Sequence, residues 1–356
     1  MSAVPVLRRD LVVVGASAGG VEALRTVMSA LPSDFPGAVL VTMHLPAETD
    51  SALARILDRA GPLPARTARH GMPIEPGTVY VAPPDRHLLT EDDLLVLSRG
   101  PTENGHRPAI NATFRSAALT GGPKVIGVVL SGVLDDGAAG LRAIVDQGGL
   151  AVVQDPADAL YSSMPANALG VVDTEHVVRA GELGALLDKL VRMPVAPVEP
   201  QPPPETLLLE DRIAREAVRA GALPPQEQDG GGGYTCPDCQ GALTEVAPAG
   251  RYRCRIGHAW SAQALLAAHD GEFRFALQKA LRALDEKAGL GRKLAAQFAG
   301  ERPSGLAERY AVSARETAEA AETLRRFLLA ATDRAGDDEA PYSGAGGRPA
   351  EEAAPQ

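Results

Sequence analysis

Between residues 11 and 192, short and almost continuously apolar runs alternate with segments whose apolar residues recur at helical spacing. This alternation constrains the fold more than any other feature of the chain. The runs are Leu11 to Val14, Ala38 to Met43, Val79 to Ala82, Leu94 to Leu97, Val125 to Leu130 and Ala151 to Val153. A strand that is apolar on both sides must be covered on both faces, as parallel strands joined by crossover helices are. An α/β domain with a mostly parallel sheet is expected, with residues 1–193 as its extent.

Six prolines between Pro194 and Pro204 stop the pattern, and proline at that density favours an extended linker. A short helix is expected from Glu205 toward Gly221, before the glycines 230–233 break the chain again, so 194–233 reads as a linker carrying a helix. A small cysteine-containing unit occupies 234–262. Beyond it Leu277, Leu281, Leu284 and Ala288, then Leu306, Tyr310, Ser313, Thr317, Ala320, Leu324 and Phe327, recur at helical spacing on either side of a Gly/Pro break. The spacing predicts an antiparallel helical hairpin over 263–333. From there to residue 356 Gly, Ala, Pro and acidic residues offer little to bury, and a disordered tail is expected over 334–356.

At 356 residues, 45% of them hydrophobic and 22% charged, the chain can bury a substantial core. Its net charge of -10 lacks the positive field that phosphate binding requires, which argues against nucleic acid as a partner. No apolar stretch approaches the roughly 18 residues that span a bilayer, so no membrane insertion is expected. The three cysteines all lie between 236 and 254. An odd number so grouped suits thiolate metal ligands in a reducing compartment, and a cytoplasmic location is expected.

The first strand runs into Gly15-Ala16-Ser17-Ala18-Gly19-Gly20. A glycine loop between a strand and a helix N-terminus aims backbone N–H groups outward, toward a phosphate or a developing oxyanion. The loop has neither the G-x-G-x-x-G spacing of dinucleotide sites nor the Gly-Lys-Ser/Thr ending of a P-loop. His44 ends the second strand, and Asp135 and Asp136 follow the run Val125 to Leu130. Ser17, His44 and the acidic pair thus lie at the carboxyl ends of parallel strands, where open α/β sheets place their ligand crevice. Serine, histidine and aspartate meeting there would perform acyl transfer. Read singly, the serine is equally a helix cap, the Asp-Gly a turn and the histidine a buried hydrogen-bonding group.

In the C-terminal half Cys236, Cys239, Cys254 and His258 read C-x2-C-x14-C-x3-H. The tight first pair lets two thiolates share one tetrahedral ion, and the second pair closes a Cys3His set. So short a segment needs a staple, and a structural zinc is expected, whereas no cofactor is expected for catalysis. Arg251, Arg253 and Arg255 could face an acidic or nucleic-acid partner, while Trp260 reads as packing.

The segments VVVGASAGGVEAL, VTMHLPAETDSALARIL, VYVAPPDRHL, GHRPAINATF, LSGVLDDGAAGL and VVQDPADALYSSMPANAL, in this order, resemble the catalytic domain of the chemotaxis protein-glutamate methylesterase family, the CheB type, over about residues 10 to 190. The resemblance implies a doubly wound α/β fold and hydrolysis of glutamate methyl esters on chemoreceptors or related signalling proteins, with release of methanol, and deamidation of certain glutamines. It assigns Ser17 as nucleophile, His44 as base and Asp136 as the aspartate of an N-D-G-A motif. Asp135 replaces that motif's asparagine and is expected to point to solvent. Ala18 and Val133 stand where threonine and methionine are common, which puts substrate fit and turnover in question. His87 and His106 lie on loops, and Arg86 and Arg107 could meet a receptor's acidic surroundings; solvated surface roles fit them equally well.

The familiar family member begins with a receiver domain. Only about ten residues precede the match here, so receiver control within the chain is expected to be absent. The helical region is expected to dock onto receptor helices rather than act as an inhibitory lid. The alternative reading of the whole chain is a catalytically weak signalling scaffold or adaptor acting through its zinc-ribbon and helical region.

Overall fold

The computed structural model describes residues 7–47, 51–195, 202–215, 233–246, 250–299 and 305–334. The expected tail from residue 335 onward and most of the proline and glycine runs lie outside the described residues. Contacts divide the chain into a first unit through Leu265 and a second that begins at Leu266.

The first unit is organised by a parallel sheet. In chain order its strands are β1 (Leu11–Ala16), β2 (Ala38–Met43), β3 (Ala65–Thr67), β4 (Val79–Val81), β7 (Val125–Val129), β8 (Leu150–Gln154) and β9 (Val177–Val178). They stand side by side as β3-β4-β2-β1-β7-β8-β9. The order reverses about β1, which pairs with β2 on one side and β7 on the other, both parallel. This doubly wound arrangement opens a crevice at the carboxyl ends of the central strands.

Both faces of the sheet are covered, as the apolar runs require. Val12 and Val14 of β1 join one core with α1 (Gly20–Ser29), α2 (Leu53–Ala60) and α6 (Ala180–Arg192), through Leu24, Leu57 and Leu187. Leu11 and Val13 join the opposite core with α3 (Ile110–Gly121), α4 (Ala138–Asp146) and α5 (Ser163–Leu169), through Phe114, Leu141 and Met164. Each such buried side chain contributes roughly 1.5–3 kcal/mol.

One predicted strand is placed differently. Leu94 to Leu97 falls in β6 (Leu94–Ser98), which pairs antiparallel with β5 (His87–Glu91) in a separate two-stranded sheet. Its apolar run is explained by burial of Leu95 in the second core, with Leu97 packed against it, and periodicity does not distinguish that from membership of the main sheet. The short outer strands β3 and β9 carry too few apolar residues to signal themselves.

The helix expected after the proline run is α7 (Glu205–Arg215). It packs into the first unit. Ser98 Oγ donates to the carbonyls of Ala214 and Arg215 at 2.6 and 3.0 Å, satisfying carbonyls at the end of the helix, and Arg215 donates to Thr90 O at 2.8 Å. The cysteine-containing segment folds as a three-stranded antiparallel sheet, β10 (Leu243–Val246), β11 (Arg251–Cys254) and β12 (Ala259–Ser261), within the same unit.

A buried ion network ties these pieces together. Arg115 of α3 donates to both carboxylate oxygens of Glu103 and approaches Glu210 of α7 at 3.4 Å. Glu210 in turn lies 3.3 and 3.4 Å from Arg251 and Arg253 of β11. Burial pushes the Glu103 carboxyl up, but the charge and hydrogen bonds of Arg115, with Arg253 and Arg251, outweigh it and hold it at about 2.

The second unit is the expected hairpin, built from α8 (Ala262–Gln297), whose first turn belongs to the first unit, and α9 (Gly305–Arg334). Phe273 meets Phe327 edge to face and Phe298 stacks on Tyr310, so the two helices run antiparallel. The seam is made by small residues. Ala288, Ala314, Thr317 and Ala321 are buried, whereas Phe327 is 52% exposed. A Cβ on Gly291 would lie 3.0 Å from that of Ala314, so the glycine permits the close approach. Among the described residues no helix is long and apolar enough to cross a membrane.

Replacing Arg115 with Met would leave Glu103 buried without its cation, and we expect a loss of about 3–5 kcal/mol in urea unfolding. The double change Arg115→Met with Glu103→Gln should recover much of that loss. In the unaltered protein Glu103 binds a proton more readily unfolded than folded, its ordinary value being 4.5. Its contribution is therefore complete above pH 4.5 and lost as the pH falls toward about 2, which unfolding measured against pH will check.

Candidate active site

Ser17 follows β1 directly. Its N–H donates to Ser131 O at 3.0 Å, and Ser131 Oγ donates to Ala18 O at 2.8 Å, so the loop after β1 is fastened to the loop after β7. Gly19 adopts φ 70°, the left-handed turn that carries the chain into α1. Gly132 is required by close contact, since a Cβ there would lie 2.9 Å from that of Ser17 and 2.6 Å from Met164 Sδ.

His44 leaves β2 with its N–H bonded to Ala16 O at 3.3 Å. Its Nδ1 lies 3.0 Å from Ser17 Oγ and its Nε2 2.7 Å from Asp136 Oδ2. A carboxylate only accepts, so Nε2 carries the proton and Nδ1 presents its lone pair to the serine hydroxyl.

Asp136 is 2% exposed. Its carboxylate accepts the N–H groups of Ile110 and Asn111 at 2.7 and 3.2 Å, at the positive N-terminus of α3. Asn111 Oδ1 reciprocates by accepting from Gly137 N and Gly140 N at 3.2 and 2.7 Å. Burial pushes the Asp136 carboxyl up, but the hydrogen bond and charge of His44 and the Ile110 N–H outweigh it and hold it below the usual carboxylate range. Gly15 makes this possible, because a Cβ there would lie 2.3 Å from Ile110 Cγ2 and would drive α3 away from β1.

Three expectations are corrected. Asp135 does not point to solvent: its Oδ1 accepts from Ser261 Oγ at 2.7 Å, and burial pushes its carboxyl up. His106 is not a surface group. Its ring stacks on His44 with centroids 3.7 Å apart and planes 9° from parallel. Burial first, then the charge of His44, pushes it down to about 3, so the ring is neutral at ordinary pH. His87 is buried, bonding Pro101 O at 2.9 Å and accepting from Ala109 N at 3.2 Å. It braces the chain entering α3. The sequence signal for both was the histidine's place in a matched segment, which does not distinguish packing from chemistry.

Arg107 donates to Asp85 Oδ1 at 2.9 Å through Nε, and Arg86 approaches the same carboxylate at 3.4 Å. Both guanidinium groups thus have a partner within the chain. Arg251 and Arg253, considered for an external acidic partner, face Glu210. Trp260 is buried, as packing requires.

The ligand atoms of Cys236, Cys239, Cys254 and His258 lie within 4.8 Å of one another. Cys239 Sγ is 3.6 Å from Cys254 Sγ, and His258 Nδ1 is 3.5 and 3.7 Å from the sulfurs of Cys254 and Cys236. Zinc–sulfur bonds of about 2.3 Å in a tetrahedron set neighbouring sulfurs about 3.8 Å apart, so the donor set fits zinc.

A family model described as CheB methylesterase matches residues 12–187. A Leptospira interrogans protein whose name includes protein-glutamate methylesterase/protein-glutamine glutaminase is 37% identical over 182 residues, which are 51% of this chain and 94% of that protein. Proteins of the same name from Anaeromyxobacter dehalogenans and Thiobacillus denitrificans are 42% and 38% identical, covering 52% and 49% of this chain and 52% and 49% of their own lengths. The crystal structure of the Thermotoga maritima CheB methylesterase catalytic domain aligns with a TM-score of 0.50 and 30% identity, over 52% of this chain and all of that one. With the α/β fold, the strand-end placement of Ser17, His44 and Asp136 and a relative matched over nearly its whole length, the chain belongs to the CheB methylesterase family.

Proposed function

We propose that the chain hydrolyses methyl esters of glutamate side chains on chemoreceptors or related signalling proteins, with Ser17 as nucleophile, His44 as base and Asp136 as the group that holds it. The observation that carries this reading is the unbroken chain from Ser17 Oγ through His44 to Asp136, at 3.0 and 2.7 Å.

Ser17 Oγ attacks the ester carbonyl while His44 Nδ1 takes its proton. The charge that develops on the carbonyl oxygen needs donors. The N–H groups of Ala18 and Gly19 make no hydrogen bond among the described residues and lead into α1, whose N-terminus favours negative charge. Collapse of the tetrahedral species breaks the bond to methoxide, which leaves as methanol with the proton from His44. A glutamyl ester of Ser17 remains. Water, deprotonated by His44, attacks that ester, and Ser17 departs with its proton restored. A glutamine side chain would pass through the same acyl-enzyme and release ammonia, giving the deamidation that the relatives' names include.

Asp136 stabilises the imidazolium that forms twice in this cycle without accepting its proton. The chain of bonds favours hydrolysis over the scaffold reading, since an adaptor has no use for a buried carboxylate aimed at a histidine. Cys236, Cys239, Cys254 and His258 are proposed to hold one zinc ion. Four protein ligands leave no open position, so its role is structural, and catalysis needs no cofactor. A cytoplasmic location suits both three reduced thiols and the substrate.

We expect Ser17→Ala to abolish methanol release from methylated receptor fragments while leaving the thermal transition in place. Asp136→Asn should lower kcat by about 10⁴-fold, far more than Asp135→Asn, because it loses the tautomer as well as the charge. Undiminished turnover by Ser17→Ala would reject the mechanism. Elemental analysis of protein purified without chelator should find one zinc per chain, and Cys239→Ser should reduce that content.

A further inference from the structure

The four cysteine and histidine ligands lie close along the chain to groups that touch the active site. Thr102 Oγ1 donates to Asp238 Oδ2 at 2.6 Å, and Asp238 sits between Cys236 and Cys239. His258 immediately precedes Ala259, whose N–H donates to Thr102 O at 3.1 Å and whose carbonyl accepts from Asn104 N at 2.7 Å. Ser261 N then donates to Asn104 Oδ1 at 2.8 Å. Residues 102–104 are therefore gripped from both cysteine knuckles.

The gripped segment is a tight turn. Glu103 and His106 exchange backbone hydrogen bonds at 3.1 and 2.9 Å, with Asn104 and Gly105 both at positive φ. The last residue of the turn is His106, the ring stacked on His44. A second line of contact runs through Ser261, whose hydroxyl donates to Asp135 Oδ1 at 2.7 Å and accepts from Ala264 N at 3.1 Å. Asp135 is the neighbour of Asp136, so the loop that presents the buried carboxylate to His44 is held at its other residue by β12.

We propose that the metal-bound Cys3His unit is a clamp on the active site: it fixes the turn that carries His106 and, through Ser261, the loop that carries Asp136, so that ester hydrolysis depends on the metal although the metal touches no substrate. The proposal rests on the hydrolase reading of Ser17, His44 and Asp136. Strands of four, four and three residues bury too little to fold unaided, so loss of the ion removes the fold of β10–β12. The ties of Glu103 to Arg115 remain, which leaves the α/β core intact while the turn and the Asp135 loop relax. Ser261 is a positioning residue in this scheme. His44 keeps its partners but samples poorer geometry, and the effect falls on kcat.

The test uses the full chain and a short peptide bearing a glutamyl methyl ester, with zinc content, methanol release and amide hydrogen exchange read on the same samples. Removal of zinc by a chelator is expected to lower kcat about tenfold with KM nearly unchanged. Exchange at 102–106 and 134–137 should rise, and added zinc should restore both. Ser261→Ala should keep its zinc and still lower kcat several-fold, with Ser261→Thr recovering it by restoring the hydroxyl. Unchanged kcat and unchanged exchange at 102–106 after zinc removal would overturn the clamp, as would protein that neither contains nor binds zinc. If the zinc-loaded chain hydrolyses no ester at all, the hydrolase reading fails instead, and zinc-dependent exchange at 102–106 still decides whether the clamp exists.

Discussion

A charged carboxylate that is 2% exposed is the constraint on which the active site depends. Left alone, Asp136 would take up a proton and could no longer fix the tautomer of His44. Two N–H groups from the first turn of α3 and the Nε2–H of His44 keep it ionised. This single requirement accounts for several sequence choices at once. Gly15 lets α3 approach the sheet, Asn111 locks the first turn of α3 to the start of α4, and Gly137 turns the chain at φ 97° directly after the carboxylate.

The neutral ring of His106 belongs to the same electrostatic design. In the proposed reaction His44 becomes positive before the leaving group departs, and a second cation stacked 3.7 Å away would oppose that step. With His106 pushed down to about 3 by burial and by His44 itself, the stack offers a polarisable and uncharged face. Removing water from one side of His44 also strengthens its bond to Asp136, because the local dielectric falls.

How much of this could be read from the sequence varies with the physics involved. The α/β class was legible because β1, β2, β7 and β8 are apolar on both faces, and no half-exposed strand produces that pattern. Ser17, His44 and Asp136 were legible as strand-end residues in matched segments, although their meeting depended on strand order. β6 was misplaced because burial in a core beside the sheet gives the same run as burial within it. Asp135 and His106 were misjudged for a common reason. Asp135 is met by Ser261 and His106 by the ring of His44, and contacts between residues so far apart along the chain leave no local periodicity. The proline run marks a change of composition, yet α7 beyond it packs against Ser98 and Thr90, since linker composition says nothing about what a following amphipathic helix will meet.

The family match ends at Leu187, while the first unit continues to Leu265. What lies between is fastened to residues inside the match: α7 to Arg115 and β12 to Asn104 and Asp135, with β11 held to α7 through Glu210. Fastenings of this kind are charged or hydrogen-bonded and largely buried, so each half-network is unfavourable without its complement. Glu103 and Arg115 satisfy one another within the matched part, Glu210, Arg251 and Arg253 all lie beyond it, and the contact of Arg115 with Glu210 joins the two groups. The added segment is thus energetically committed to the catalytic domain at its edge. Its strands β10–β12 are short, and their contacts run to residues 102–104, in the turn against His44, and to Asp135 rather than to the distant faces of the sheet.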